Sequence, residues 1–450
     1  MKRILLSVFA AALAAAYVVP ADAADVTLSG QYRLRGEYRN DADFNGNVND
    51  HTDSWGQRVR LTADAKATDD TSIKITLQDT RTWGASTSTA GGPALTDTGN
   101  TLDFHESYVN INNLFGAPVS LRAGRQELFY GDGRLVATSA WGNNDRSFDA
   151  LKFVYTSAPV NVDLFTSKIR ESTTTSTDQD FTGIYATVKA IPNNTLDLYV
   201  LWLRDGLQSG NNAFGWGTTI GNTAITGTID SAQSLYTYGA RLKGAVAGLD
   251  YTLELPLQSG SIDTRTTSYN LKGWAAFAKV GYTLPTPTKV RVGLEYDYAS
   301  GDNDASNNDI KTFTMLFPST HDKLGLMDIQ AGRNVKAFGL TASADVTDKL
   351  KLAAELWNLK LAQKHDAWYA DANWNTTPTG LRAASATETN SSIGNEIDLT
   401  ATYKYNSAVA AQVGYSHLFS GKFIKDRIKA TANSDKQDQD WAYMMLTANF

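Results

Sequence analysis

The chain of 450 residues has no cysteine, only ten prolines and five histidines, and no long apolar run after its first nineteen residues. Without cysteine there is no disulfide scaffold, no thiolate metal site and no thiol nucleophile. Without a second apolar run of about 20 residues there is no multi-helix membrane protein. The histidines, His51, His105, His321, His365 and His417, are scattered and show no metal-ligand spacing. His105 and Ser107 lie two apart on one strand face, but no G-x-S-x-G and no orienting Asn accompanies them. The sequence therefore reads as a non-enzyme, with no cofactor and no metal. Nor is there an excess of positive charge. With 41 Lys and Arg against 47 Asp and Glu the net charge is −6, which argues against nucleic acid as a partner. A mean hydropathy of −0.30 looks soluble, yet strands with one apolar and one polar face average to the same value.

What is present begins with an address. Lys2 and Arg3, the apolar stretch 4–19 and the small-residue site Ala21-Asp22-Ala23 read as a secretory signal peptide, residues 1–23. The mature chain, 24–450, then carries a formal charge of −7.

The mature chain alternates with period 2 in stretches of about ten residues, the mark of two-faced strands. Val26, Leu28, Gly30, Tyr32 and Leu34 fall on one face of the first, opposite Thr27, Ser29, Gln31, Arg33 and Arg35. Leu249, Tyr251, Leu253, Leu255 and Leu257 alternate with Asp250, Thr252, Glu254 and Gln258. About eighteen such segments run from 26–39 to 440–450, one of them 269–283. Short turns alternate with long polar loops at 40–54, 84–101, 206–232, 301–332, 362–392 and 420–438. An even strand count with short turns at one end and long loops at the other predicts an all-β fold, a transmembrane antiparallel up-and-down barrel of about 18 strands. Lipid bilayer and lipopolysaccharide of a Gram-negative outer membrane are then its surroundings. Aromatics near strand ends, among them Trp55, Trp83, Tyr298 and Trp441, read as interfacial girdles, and the terminal Phe450 resembles an outer-membrane sorting signal. No stretch for a plug domain precedes the first strand.

The polar faces carry the chemistry. Arg33, Arg35 and Arg39 share the inward face of the first segment, Arg58 and Arg60 that of the second, and Arg122 that of the fifth; Arg241, Lys243, Arg291 and Lys351 also face inward by parity. Carboxylates such as Glu37, Glu106, Glu254 and Glu295 sit among them. The wall is either a field that draws anions or a set of mutually neutralised charges. Asp302, Asn303, Asp304, Asn308 and Asp309 form an acidic loop without EF-hand spacing, read as solvated surface rather than a calcium site.

One stretch is far more specific. Gly124-Arg125-Gln126-Glu127 leads through Tyr130-Gly131-Asp132 to Arg134, then Trp141, Asn143, Arg146, Phe148 and Asp149. Together with Leu316-Phe317-Pro318, His321, Gly325, Asp328 and Asn334 it resembles the hallmark of the alginate-export family of outer-membrane barrels. The resemblance implies an 18-stranded monomeric exporter of an anionic polysaccharide through an Arg- and Lys-lined lumen. Strand parity puts Arg125 on the lipid face, and a bulge at Gly124 would turn it inward. Glu127 and Asp132 would pair with Arg125, Arg134 and Arg146 to brace the loop as a constriction. The expectation is a channel for anionic solutes, an anionic polysaccharide or its fragments included; a less selective porin for small nutrients and a structural barrel sheathing a partner protein are the alternatives.

Overall fold

The computed structural model describes residues 25–84, 101–171, 178–206, 214, 219–220, 222–370, 380–434 and 437–450. The expected signal peptide lies outside them. Eighteen antiparallel strands among the described residues close a barrel. They are β1 (Asp25–Asn40), β2 (Thr52–Lys66), β3 (Thr71–Thr82), β4 (Thr101–Ile111), β5 (Val119–Gln126), β6 (Phe148–Thr156), β7 (Val160–Arg170), β8 (Gln179–Val188), β9 (Asn194–Asp205), β10 (Gln233–Val246), β11 (Leu249–Asp263), β12 (Ala275–Thr283), β13 (Arg291–Ala299), β14 (Val335–Asp345), β15 (Leu350–Leu361), β16 (Ser392–Lys404), β17 (Val409–Ser420) and β18 (Gln439–Asn449). Each strand pairs with its chain neighbours, and β18 returns to β1 from Gln31↔Asn449 to Asn40↔Asp440. The seam is completed by Gly30 and Phe450, which exchange backbone hydrogen bonds of 2.8 and 3.0 Å. Among the described residues, closure leaves the barrel sheet no unpaired edge strand, as a bilayer requires.

Alternation decides which side chain meets lipid. On β11, Leu253, Leu255 and Leu257 are 42%, 45% and 57% exposed on the outer face, whereas Glu254 and Gln258 point inward at 5% and 7%. The short connections are tight for local reasons. Ala247 and Gly248, with φ of 50° and 86°, join β10 to β11, the both-positive geometry that matches strand twist.

Four features depart from the sequence reading. The segment 269–283 is broken: Ser268–Leu271 pairs in parallel with Asp309–Ile310, and β12 begins only at Ala275. The loop 420–438 contains a helix, α1 (Lys422–Ala432), which buries Phe423, Ile424 and Ile428. Trp441 is no girdle residue; parity puts it inside, 2% exposed. His105 and Ser107 do not share a face. A register shift opposite Thr76 and Leu77 turns His105 inward, buried, and leaves Ser107 outside and exposed.

The lumen is not an open tube. The inward faces of β6 to β9 carry Phe148, Phe165, Phe181, Tyr185, Tyr199, Leu201 and Leu203, all buried. Two long loops fold in against them. Phe317 packs on Phe181 at 4.8 Å and on Phe148 at 5.4 Å, and Tyr130 stacks on Tyr185 at 4.5 Å. At about 1.5–3 kcal/mol for each large apolar side chain removed from water, this inner core holds the loops in place.

Candidate functional site

The first inner loop, 127–147, leaves β5 and turns at Gly131 and Gly133, whose φ of 60° and 75° suit glycine. The second, 300–334, joins β13 to β14. They meet in one parallel bridge, Val136↔Phe317, in which Phe317 N donates to Leu135 O at 2.7 Å and Ala137 N to Phe317 O at 2.8 Å, and Ser319 N adds a bond to Gly133 O at 2.8 Å. Buried backbone groups must find partners, and each loop supplies them to the other. The result is a crossbar that constricts the lumen.

The barrel wall grips this crossbar through ions. Arg33 donates to Ala140 O at 2.7 Å, to Trp141 O at 3.1 Å, to Gly142 O at 2.5 Å and to Asn143 Oδ1 at 3.1 Å. Arg58 and Arg60 converge on Asp145 Oδ2 at 2.7 and 2.5 Å. Arg35 pairs with Glu37 and lies 3.9 Å over the ring of Trp141. On the opposite wall Arg134 pairs with Glu295 and with Asp297 at 2.8 Å. Asp132 meets Arg241 at 2.5 Å, and Arg241 also holds Asp197 at 2.9 Å. Arg146 donates to Ala137 O at 3.0 Å and Pro318 O at 3.1 Å, tying one inner loop to the other. Glu127 lies 2.7 Å from His105 and 4.0 Å from Arg60.

Eight of the residues singled out in the sequence thus gather at the constriction: Arg33, Arg35, Arg58, Arg60, Glu127, Asp132, Arg134 and Arg146. Arg122 and Glu106 do not reach it. Arg122 lies nearer the short turns, 4.5 Å over Tyr108, and Glu106 pairs with Lys74 at 2.7 Å. Arg125 corrects an expectation. The ladder runs without a shift through Gly124, from Tyr108↔Gly124 to Gly124↔Ala150, so Arg125 stays on the outer face and pairs with Asp149 at 3.2 Å. Gly124 has φ 127°, and a Cβ there would sit 2.3 Å from Ser107 O. The glycine admits a close strand approach and does not redirect its neighbour.

Further motif residues complete the site, joined by carboxylates that the sequence did not mark as part of it. Trp141 stacks on His321 at 3.8 Å and 9°, with Tyr443 edge-on at 5.0 Å. Glu396 accepts from Met327 N at 2.8 Å. A Cβ on Gly325, φ 92°, would meet that carboxylate at 2.3 Å. Asp297 on β13 and Glu396 and Asp398 on β16 add buried carboxylates to the lumen wall. Parity was legible for these, but their loop partners lie far away in sequence.

Above the crossbar, the long loops lock into a cap. Asn334 accepts from Gln363 N at 2.7 Å and donates to Ala367 O at 2.9 Å. Asp366 accepts from Asp302 N at 2.8 Å, Thr312 Oγ1 at 2.6 Å, Ala367 N at 2.7 Å and Tyr369 OH at 3.1 Å. Burial pushes the Asp366 carboxyl up to about 6 despite these donors. The acidic residues 302–309 serve separate partners: Asp302 Oδ2 accepts from Thr223 at 3.3 Å, Asp304 Oδ2 from Asn307 at 2.9 Å, and Asp309 pairs with Lys272 at 2.8 Å.

Two cavities remain beside the crossbar and share Asp322. One, of about 640 Å³, is lined by Arg33, Arg58, Trp141, His321, Lys351 and Glu355 among others. The other, of about 400 Å³, is lined by Phe129, Asp132, Lys243, Asp250, Glu254 and Lys279 among others.

Comparison with known proteins agrees with this architecture. Three solved Pseudomonas aeruginosa structures share the fold at 10% identity. OccK9 (OpdG) aligns with a TM-score of 0.59 and OccK5 (OpdH) with 0.57, each over 95% of this chain and 98% of its own. OccD3 (OpdP) aligns at 0.56 over 97% of both chains. No curated protein sequence matches the chain. The profile of the alginate-export family matches residues 25–437. A closed 18-strand barrel and a family match over nearly the whole mature length make this chain a member of the alginate-export family and a channel of the outer membrane.

Proposed function

We propose that the channel passes small anionic solutes, acidic sugars and fragments of an anionic polysaccharide among them. The observation that carries this reading is the set of lumen-facing cations without an ion-pair partner within 4 Å among the described residues. Arg33 donates only to neutral carbonyl and amide oxygens. Arg122 has Asn110 and the ring of Tyr108. Lys243 and Lys351 line the two cavities. In a narrow, low-dielectric passage such charges raise the local concentration of anions. Of the acidic residues of the lumen, Glu295 and Asp297 are already matched by Arg134 and Lys279.

The test is ion selectivity. Purified protein in a planar bilayer under a KCl gradient gives a reversal potential on the chloride side, and Arg33→Ala or Lys351→Ala moves it toward potassium. A cation-selective wild-type channel overturns the proposal. A second reading, a less selective porin for small nutrients, is favoured by the crossbar. Cavities of about 400 and 640 Å³ match the roughly 300–1,000 Å³ that holds one small molecule. Equal block by neutral and acidic oligosaccharides selects that reading.

A further inference from the structure

The outer face holds a feature that transport does not use. Lys336 on β14 and Lys360 on β15 are directly opposite in register. Their neighbours in sequence, Val335, Ala337, Leu359 and Leu361, are buried inward, so both lysines point outward, and both are exposed. Among the described residues neither makes an ion pair. Like charges directly opposite on one face are destabilising, whereas two other outer-face pairs are of opposite sign. Arg125 meets Asp149 at 3.2 Å, and Lys168 meets Asp180 at 2.9 Å.

Position and surroundings identify the missing counter-charge. Lys336 begins β14 next to the long loops, at the extracellular border of the barrel. Phe338 and Leu340 follow it down the same face; below Lys360 comes Asn358, which donates to Asn395 Oδ1 at 2.8 Å, and then Leu356, and these three apolar side chains are each more than 40% exposed. The lysines therefore stand where apolar wall gives way to polar surface. Beneath them the wall is grooved. One apolar groove of about 610 Å³ begins at mid-strand with Leu340 and Leu356 and runs past Ala342 and Ala354 to Leu249 and Tyr282 beside the short turns. A second, of about 680 Å³, shares Ala342 and Ala354 and continues toward the short turns past Leu352 and Val413. Leu340 lies four residues below Lys336, about 13 Å along the strand. An anion above and an acyl chain below describe one molecule. Tyr298 is the partner of Lys336 on β13 and packs on Trp274 at 4.5 Å, which adds an aromatic flank.

We propose that Lys336 and Lys360 bind the phosphate of a phosphorylated outer-leaflet glycolipid, lipid A, whose acyl chain lies in the groove beneath. The site goes beyond channel function and is independent of ion selectivity.

The full chain in detergent, probed by native mass spectrometry with bis-phosphorylated hexa-acyl lipid A, tests this. Wild type retains one lipid A per barrel, with at least tenfold more adduct than the Lys336→Gln/Lys360→Gln double variant. It also retains at least tenfold more than wild type given the dephosphorylated lipid. Ala354→Trp, which fills the groove, lowers the adduct with both lysines in place. Heat-dependent gel mobility verifies that each barrel is folded, and the two exposed lysines can be changed without disturbing any packed group. Adduct within twofold of wild type in the double variant, or equal retention of the dephosphorylated lipid, overturns the proposal. Complete displacement of the lipid by inorganic phosphate overturns the lipid assignment in favour of a simple anion site.

Discussion

Arg33 and Arg58 face each other across β1 and β2, and both guanidiniums donate to the same two carbonyls, those of Ala140 and Gly142. Two cations side by side repel. Here the first inner loop supplies the compensation with carbonyl oxygens and with Asp145, which pairs with Arg58 at 2.7 Å. The same residues that set the charge of the lumen thus hold the loop that narrows it.

Asp145 is the carboxylate that Arg58 and Arg60 share. Asp145→Asn leaves both guanidiniums without that charge, so anion selectivity rises. The loop is also held less firmly, so current noise increases. Reversal potential and open-channel noise in planar bilayers measure the two effects separately.

Arg134 pairs with Glu295 and Asp297 in a buried cluster, where Lys279 also meets Glu295 at 3.1 Å. Removing one member of a buried ion network costs about 3–5 kcal/mol, because the others are left unpaired. Arg134→Ala therefore lowers the unfolding midpoint in detergent and frees the crossbar, with a larger single-channel conductance. Arg134→Lys restores part of the stability.

Gly124 combines φ 127° with a Cβ site 2.3 Å from Ser107 O. Gly124→Ala forces β4 and β5 apart and strains the backbone by about 1–3 kcal/mol. Refolding yield into micelles, read by heat-dependent gel mobility, falls further than for Gly116→Ala, which shares the positive φ, at 77°, but meets no atom within 4 Å.

Asp366 gives the cap a pH dependence. Its folded-state pKa of about 6 against an ordinary 3.8 means that the closed cap binds the proton more tightly than the open one. Cap stability is therefore greatest at low pH, declines as pH rises from about 4 to about 6, and then levels off, a change of roughly 3 kcal/mol. Hydrogen exchange at Asp302 and Ala367 reports it, with more protection at pH 5 than at pH 7. Asp366→Asn removes the dependence on pH.

Much of this was open to reading from residues alone. The period-2 alternation fixes which side chains meet lipid, because neighbouring side chains on a strand point to opposite faces, and the rhythm of short turns and long loops orients the barrel. The inward parity of Arg33, Arg35, Arg58 and Arg60 needed no structure. Trp441 and His105 show the limits. An aromatic near a strand end faces lipid or lumen according to register, and one extra residue in a strand reverses parity beyond it.

The sequence by itself determined the barrel, its sidedness and its basic first strands, since these follow from local periodicity. Only the tertiary structure decided that the lumen is crossed by two joined loops, that Arg134 finds Asp297 163 residues away, and that Lys336 stands beside Lys360. Such pairings depend on closure and on register between distant strands, and these are set by the packing of the whole chain.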